Sequence, residues 1–180
     1  MKKLALKFRV RGKEEFEEKI SAREVDFGPV FWEHDRVYLP RGYRRGGNFP
    51  RLVFRTEMKA VDRPARYFMI LKRHIEDSGV EIEHTTLIRD YTEAVGVAME
   101  LGFELKAEVS RKRQEAKTKD GVKIFLDKVE GERGMYAKFE KVLTEGEKIE
   151  KARAEILDGF DMDEKDLVEK SYAEILTEGR

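Results

Sequence analysis

The sequence predicts an α+β fold, a closed eight-stranded antiparallel β-barrel with covering helices, and three observations lead to it. Eight short segments carry the alternating or branched-residue pattern of strands. Their order is strands, helix, strands, helices, with turn signals between strands and one helix crossing between the two sets. A sheet of about eight short antiparallel strands tends to curl and close, because closure removes its unpaired edges.

The first segment alternates sharply, with Leu4, Leu6, Phe8 and Val10 on one side of an extended strand and Lys3, Ala5, Lys7, Arg9 and Arg11 on the other. Lys13 to Ile20 reads as a short helix, and Val30 to Leu39, rich in aromatic and branched residues, as the second strand. Residues 40 to 51, PRGYRRGGNFPR, break the pattern with two Pro and three Gly and read as a loop. Leu52 to Thr56, Tyr67 to His74 and Glu81 to Leu87 are three further strands, the last two separated by Asp77-Ser78-Gly79. Tyr91 to Leu101 has helical spacing, with Gly102 where a C-terminal cap belongs. Phe103 to Arg113, Val122 to Asp127 and Met135 to Val142 complete the strands, and Lys119-Asp120-Gly121 is a hairpin turn. From Glu145 the spacing becomes helical through Ile149, Ala152, Ile156 and Leu157, then Leu167, Val168, Tyr172, Ile175 and Leu176. The chain reads as one domain, 1–180, whose C-terminal helices, 144–180, pack on the outside of the barrel.

Composition bounds the function. The 180 residues hold 37 Lys+Arg and 37 Asp+Glu, so net charge gives no argument for a nucleic-acid or membrane partner, and any strong field is local. The absence of cysteine removes disulfides, thiolate metal sites and cysteine nucleophiles. No apolar run suits a secretory signal or a membrane span, which points to the cytoplasm. One Asn, one Gln and abundant Lys, Arg and Glu point to a heat-adapted source.

The strand faces opposite the hydrophobic ones carry charge of both signs: Lys7 with Arg9 and Arg11, Arg51 with Arg55, Glu81 with Glu83, Arg111 with Arg113, Lys138 with Glu140. In a chain so charged, such faces are most often the solvated side of a half-exposed sheet. Converging inside a barrel, they would instead require a wet interior, extensive ion pairing, or a polyanion held with metal.

Residues 121 to 140, GVKIFLDKVEGERGMYAKFE, resemble the C-terminal signature of the CYTH superfamily of triphosphate tunnel metalloenzymes, through Leu126, Asp127, Val129, Gly131, Gly134, Tyr136 and Glu140. LGFELKAEVSRKR (101–113) and SYAEIL (171–176) are similar to two further motifs of that family, in the same order. The resemblance covers most of the chain. It implies a tunnel that binds a triphosphate-containing small molecule or polyphosphate, with metal-dependent phosphoanhydride hydrolysis, adenylyl cyclase activity or silent binding as the outcomes. Lys7, Arg9, Arg55, Lys72, Arg111 and Arg113 would bind phosphate, and Glu81, Glu83, Asp127 and Glu140 would hold Mg²⁺ or Mn²⁺. The chain departs from the pattern where the family has acids at Lys3 and Ala5, an acid at Lys138 and an arginine at Val53, which makes the expected tunnel more cationic.

His34, His74 and His84 lack the spacing of a helical metal site and read as ordinary polar or packing residues. Arg41, Arg44, Arg45 and Arg51 beside Tyr43 and Phe49 could hold single-stranded RNA, but a solvated loop or a lid is the favoured reading. The chain is expected to be a monomer or homodimer.

Overall fold

The computed structural model describes residues 1–20, 25–43, 50–60, 62–75 and 79–178. Eight strands form the barrel: β1 (Lys2–Val10), β2 (Phe31–Pro40), β3 (Arg51–Met58), β4 (Arg66–Ile75), β5 (Val80–Ile88), β6 (Phe103–Lys117), β7 (Lys123–Val129) and β8 (Met135–Val142). Their order around the wall is β1-β5-β4-β3-β2-β6-β7-β8, every pairing antiparallel, and β8 returns to β1 to close it. The described residues form four α-helices in chain order: α1 (Lys13–Ile20), α2 (Tyr91–Glu100), α3 (Ile149–Gly159) and α4 (Tyr172–Glu178).

The alternation in β1 decides which side of the wall is greasy. Leu4, Leu6 and Phe8 point outward and are buried beneath α1 and α3, where they meet Phe16, Ile20, Phe139, Ala152 and Ile156. Phe139 is the hub, with ring centroids 5.8 Å from Phe8, 6.2 Å from Phe16 and 4.8 Å from Phe160. Burying each such ring stabilises the fold by about 1.5–3 kcal/mol. On another part of the wall α2 sets Ala98 against Tyr38, Leu52 and Phe54. Asp90 caps α2 by accepting from Glu93 N at 3.0 Å, and Gly102, at φ +87°, stands past its end in the left-handed conformation that glycine tolerates. The hydrophobic core therefore lies between wall and helices, and the other face of each strand turns inward.

Two boundaries differ from the sequence expectation. β6 runs on to Lys117 instead of ending at Arg113, and β7 extends two residues past Asp127 to Val129. The C-terminal region differs more. α3 covers the outside as expected, but Leu167 and Val168 are extended: Leu167 bridges to Phe8 and Val168 N donates to Lys7 O at 2.7 Å. α4 then packs into one end of the barrel instead of on its outer wall, with Ala173 against the inward cluster of Val37, Val53 and Ile70, and Ile175 and Leu176 against that of Val109, Val129 and Tyr136. Its apolar spacing is satisfied equally by an outer wall and by a barrel end, and only the end offers these inward-facing apolar residues. The arginine-rich stretch 44–49 and Asp77-Ser78 lie outside the described residues. No described helix is long and apolar enough to cross a membrane.

Candidate functional site

The inward faces converge. Lys7 from β1, Arg55 from β3, Lys72 from β4, Arg111 and Arg113 from β6 and Lys138 from β8 all line one cavity of about 130 Å³, room for several water-sized groups. A second space of about 190 Å³ adjoins it, lined by Lys3, Glu57, Glu83, Lys123 and Glu140 among others. Arg55, Lys72, Arg113 and Lys138 border both and form the waist of a tunnel. Val168, Glu169, Ser171, Tyr172 and Ala173 wall the first cavity at the α4 end, where Val37, Val53 and Val109 make one side apolar.

The charges sort into two groups. Along β2, β3, β6 and β7 they are guanidinium–carboxylate pairs. Arg55 donates to Asp35 through Nε at 2.7 Å and Nη2 at 2.9 Å, and to Glu33 through Nη1 at 3.2 Å. Arg111 donates to Glu33 through Nε at 2.9 Å and to Asp35 through Nη2 at 2.8 Å. Arg113 grips Asp127 with Nε and Nη2, both at 2.6 Å, and reaches Glu33 with Nη1 at 2.9 Å. Tyr172 closes the set, its hydroxyl donating to Asp127 Oδ2 at 2.8 Å. Burial would push the acids up, but the arginines beside them outweigh it and hold Glu33, Asp35 and Asp127 below the usual carboxylate range. A guanidinium has five N–H donors and these contacts occupy about three, so each arginine keeps donors for a further anion.

Along β1, β4, β5 and β8 the cations are lysines. Lys3 Nζ stands 2.8 Å from both Glu83 Oε2 and Glu140 Oε2, Lys72 Nζ is 3.1 Å from Glu83 and 3.8 Å from Glu81, and Lys138 Nζ is 2.5 Å from Glu140. Burial lowers Glu83's affinity for charge, yet Lys72 and Lys3 bring its pKa down to about 2. The Lys72 pKa is lowered too, which for a base disfavours the charge: burial outweighs Glu81 and Glu83. Lys7 is more extreme, brought down to about 7 by burial and by Lys138 nearby. Its ammonium donates to the carbonyl of Lys170 and lies 4.5 Å from the centre of the Tyr172 ring. Glu81 is paired on one side with His74, at 3.2 Å, while its Oε2 is buried with no hydrogen-bond partner among the described residues.

Of the residues expected to meet phosphate, five share the cavity and Arg9 does not. Arg9 is half exposed at the barrel rim, donating to Tyr136 Oη at 3.0 Å and standing 3.6 Å from Glu132, because β1 has by then passed the cavity. Of the residues expected to hold metal, Glu81, Glu83 and Glu140 face the tunnel, whereas Asp127 is fully buried with both oxygens committed to Arg113 and Tyr172. The divalent ion implied by the family resemblance does not fit this donor set. Such an ion needs several free oxygens within about 2.6 Å; Glu83 and Glu140 are already bridged by ammonium groups, and among the described residues no group of three His, Asp or Glu side chains is arranged to hold a metal. The single unpartnered oxygen of Glu81, with Lys72 at 3.8 Å, suits a hydrogen-bond donor rather than a coordination shell.

Sequence reasoning missed Glu33 and Asp35, although with Val37 they repeat at the strand period. The intervening Trp32, His34 and Arg36 are polar or amphipathic too, which hides the alternation of β2. His74, expected to be ordinary, lines the cavity, and His34 points away from it with Nδ1 2.8 Å from Ser110 Oγ.

No family model matches this chain, and no curated protein does. Solved structures do. A protein of Pyrococcus horikoshii superposes with a TM-score of 0.82 at 22% identity, covering 99% of each chain. A candidate adenylate cyclase of Vibrio parahaemolyticus gives 0.75 at 22% identity over 97% of each chain. A candidate adenylyl cyclase of Hippeastrum, described as having a dominant triphosphatase activity, gives 0.63 at 14% identity, covering 100% of this chain and 97% of its own. At these identities the likeness is one of fold, and it extends over nearly the whole chain.

Proposed function

We propose that this protein is a receptor for a triphosphate-containing small molecule, bound inside the barrel. The observation that carries the reading is the convergence of Lys7, Arg55, Lys72, Arg111, Arg113 and Lys138, from five different strands, on one cavity. Condensed phosphate is a chain of oxygens that wants many N–H donors along its length, and arginine forks with spare donors and lysine points supply them. The apolar side made by Val37, Val53, Val109 and Tyr172 would take an organic head group beside the phosphates. The neighbours named for cyclase and triphosphatase activity support a triphosphate as the ligand class.

Turnover is a separate matter. With Glu83 and Glu140 ion-paired to lysines and Asp127 to Arg113, no set of the described residues is left to hold the metal that hydrolysis in such tunnels would use, so the reading is of binding without hydrolysis. Titration calorimetry with tripolyphosphate, ATP and thiamine triphosphate tests it. Saturable, salt-sensitive binding of at least one, without phosphate release, is expected. No binding of any of the three at millimolar concentration would refute the receptor; rapid phosphate release would refute its silence.

A further inference from the structure

We infer that the Lys3 ammonium stands in the place of a divalent cation, and that the tunnel therefore takes condensed phosphate in its metal-free form; the second half rests on the receptor reading above. Lys3 lies on β1 between the two strands that carry the acids, directly opposite Glu81 of β5 on one side and Val142 of β8 on the other. Its Nζ is 2.8 Å from Glu83 Oε2 and 2.8 Å from Glu140 Oε2, so a single cation bridges carboxylates from both neighbours of its own strand. The side chain is 6% exposed, which leaves the bridge little competition from water.

Two facing carboxylates in a nearly dry wall need about two positive charges nearby. A divalent ion would supply both from one point. Here Lys3 supplies one, and Lys72 at 3.1 Å from Glu83 and Lys138 at 2.5 Å from Glu140 supply the rest. Adding a divalent ion to this arrangement would place its double charge beside three ammonium groups, with Glu83 and Glu140 already bridged and only one oxygen of Glu81, 3.8 Å from Lys72, left to receive it, a repulsion that low dielectric makes severe. The pKa of Lys3 agrees: burial lowers it, but Glu140 and Glu83 more than compensate and raise it, so the bridge stays charged at neutral pH. A ligand arriving as its magnesium or manganese complex carries a like charge toward the same lysines. The uncomplexed polyanion does not, and it finds tethered cations already in position.

The test has two arms. In the first, Mn²⁺ is titrated into the ligand-free protein and free Mn²⁺ followed by electron paramagnetic resonance. Wild type should leave the signal of free ion unchanged to millimolar concentration, whereas Lys3→Gln, which vacates the bridge, should bind Mn²⁺ at least tenfold more tightly than wild type. Stoichiometric Mn²⁺ binding by wild type, lost in Glu83→Gln or Glu140→Gln, would overturn the inference. So would a folded Lys3→Gln with no gain; if that variant does not fold, the wild-type titration decides alone. In the second arm, tripolyphosphate is titrated in EDTA and again with Mg²⁺. Equal or weaker binding with Mg²⁺ is expected, and a tenfold strengthening would overturn the metal-free preference. If tripolyphosphate binds in neither condition the receptor reading falls, while the Mn²⁺ arm still decides the role of Lys3.

Discussion

The arginine side of the barrel and the lysine side solve the same problem, buried charge, in opposite ways. On β2, β3, β6 and β7 planar guanidinium groups meet carboxylates through paired, directional hydrogen bonds, and Asp127 at the centre has no exposed surface. On β1, β4, β5 and β8 ammonium groups meet carboxylates as point charges without paired forks, one carboxylate oxygen of Glu81 is unmatched, and two lysines are held below their usual pKa. Fixed forks make a scaffold, whereas under-compensated point charges gain most when an anion arrives. The contrast assigns the arginine side mainly to stability and the lysine side mainly to binding.

The largest effect should come from Asp127→Ala. It leaves Arg113 buried with only Glu33 for compensation, and a loss of about 3–5 kcal/mol in unfolding free energy is expected from urea titration. A loss under about 1 kcal/mol would break the scaffold assignment. Next is Lys72→Met. Because burial works against the Lys72 charge while Lys3 still pairs with Glu83, stability should fall less than in Asp127→Ala, but affinity for tripolyphosphate should fall about 10- to 100-fold in calorimetry, the worth of one charged hydrogen bond. The reverse outcome, a large loss of stability with affinity intact, would merge the two sides into one scaffold. Tyr172→Phe comes third, removing one donor from Asp127 while Arg113 remains; about 1–2 kcal/mol is expected by thermal or urea unfolding.

The smallest effect is a pH dependence. Lys7 has its pKa lowered from 10.5 to about 7 in the folded protein, so between those values the unfolded chain binds the extra proton. The contribution of Lys7 to stability therefore rises with pH from about 7 to 10.5 and is least favourable below about 7. A bound polyanion reverses the local balance by favouring the ammonium form. Affinity for tripolyphosphate should fall about fivefold from pH 7 to pH 8 with proton uptake on binding, and Lys7→Met should flatten both. A wild-type profile as flat as that of the variant would show that the ligand does not reach Lys7.

How much of this could be read in advance depended on how clean each pattern was. The first strand alternates from Lys3 to Val10 with only Ala5 apolar on the charged side, and its greasy outer face and the inward Lys3 and Lys7 are where the alternation puts them. The paired residues Arg111 and Arg113, and Glu81 and Glu83, were legible for the same reason. Periodicity could not say whether a charged face looks inward or outward; only closure of the barrel decides that, and closure is a property of eight strands together. It also could not say which cation meets which acid. Arg113 finds Asp127 across the β6–β7 register, and Lys3 finds Glu83 and Glu140 on two strands far along the chain. The position of α4 was hidden because its apolar spacing fits either destination.

The closing seam between β1 and β8 has a kinetic consequence. It joins Lys3 to Val142 and Val10 to Met135, so the first strand of the sheet has no partner on that side until the last one has formed. Pairings so distant along the chain are slow to form. Until then Leu4, Leu6 and Phe8 lack the cover of Phe139 and α3, which leaves this short stretch open to chaperones or to wrong partners.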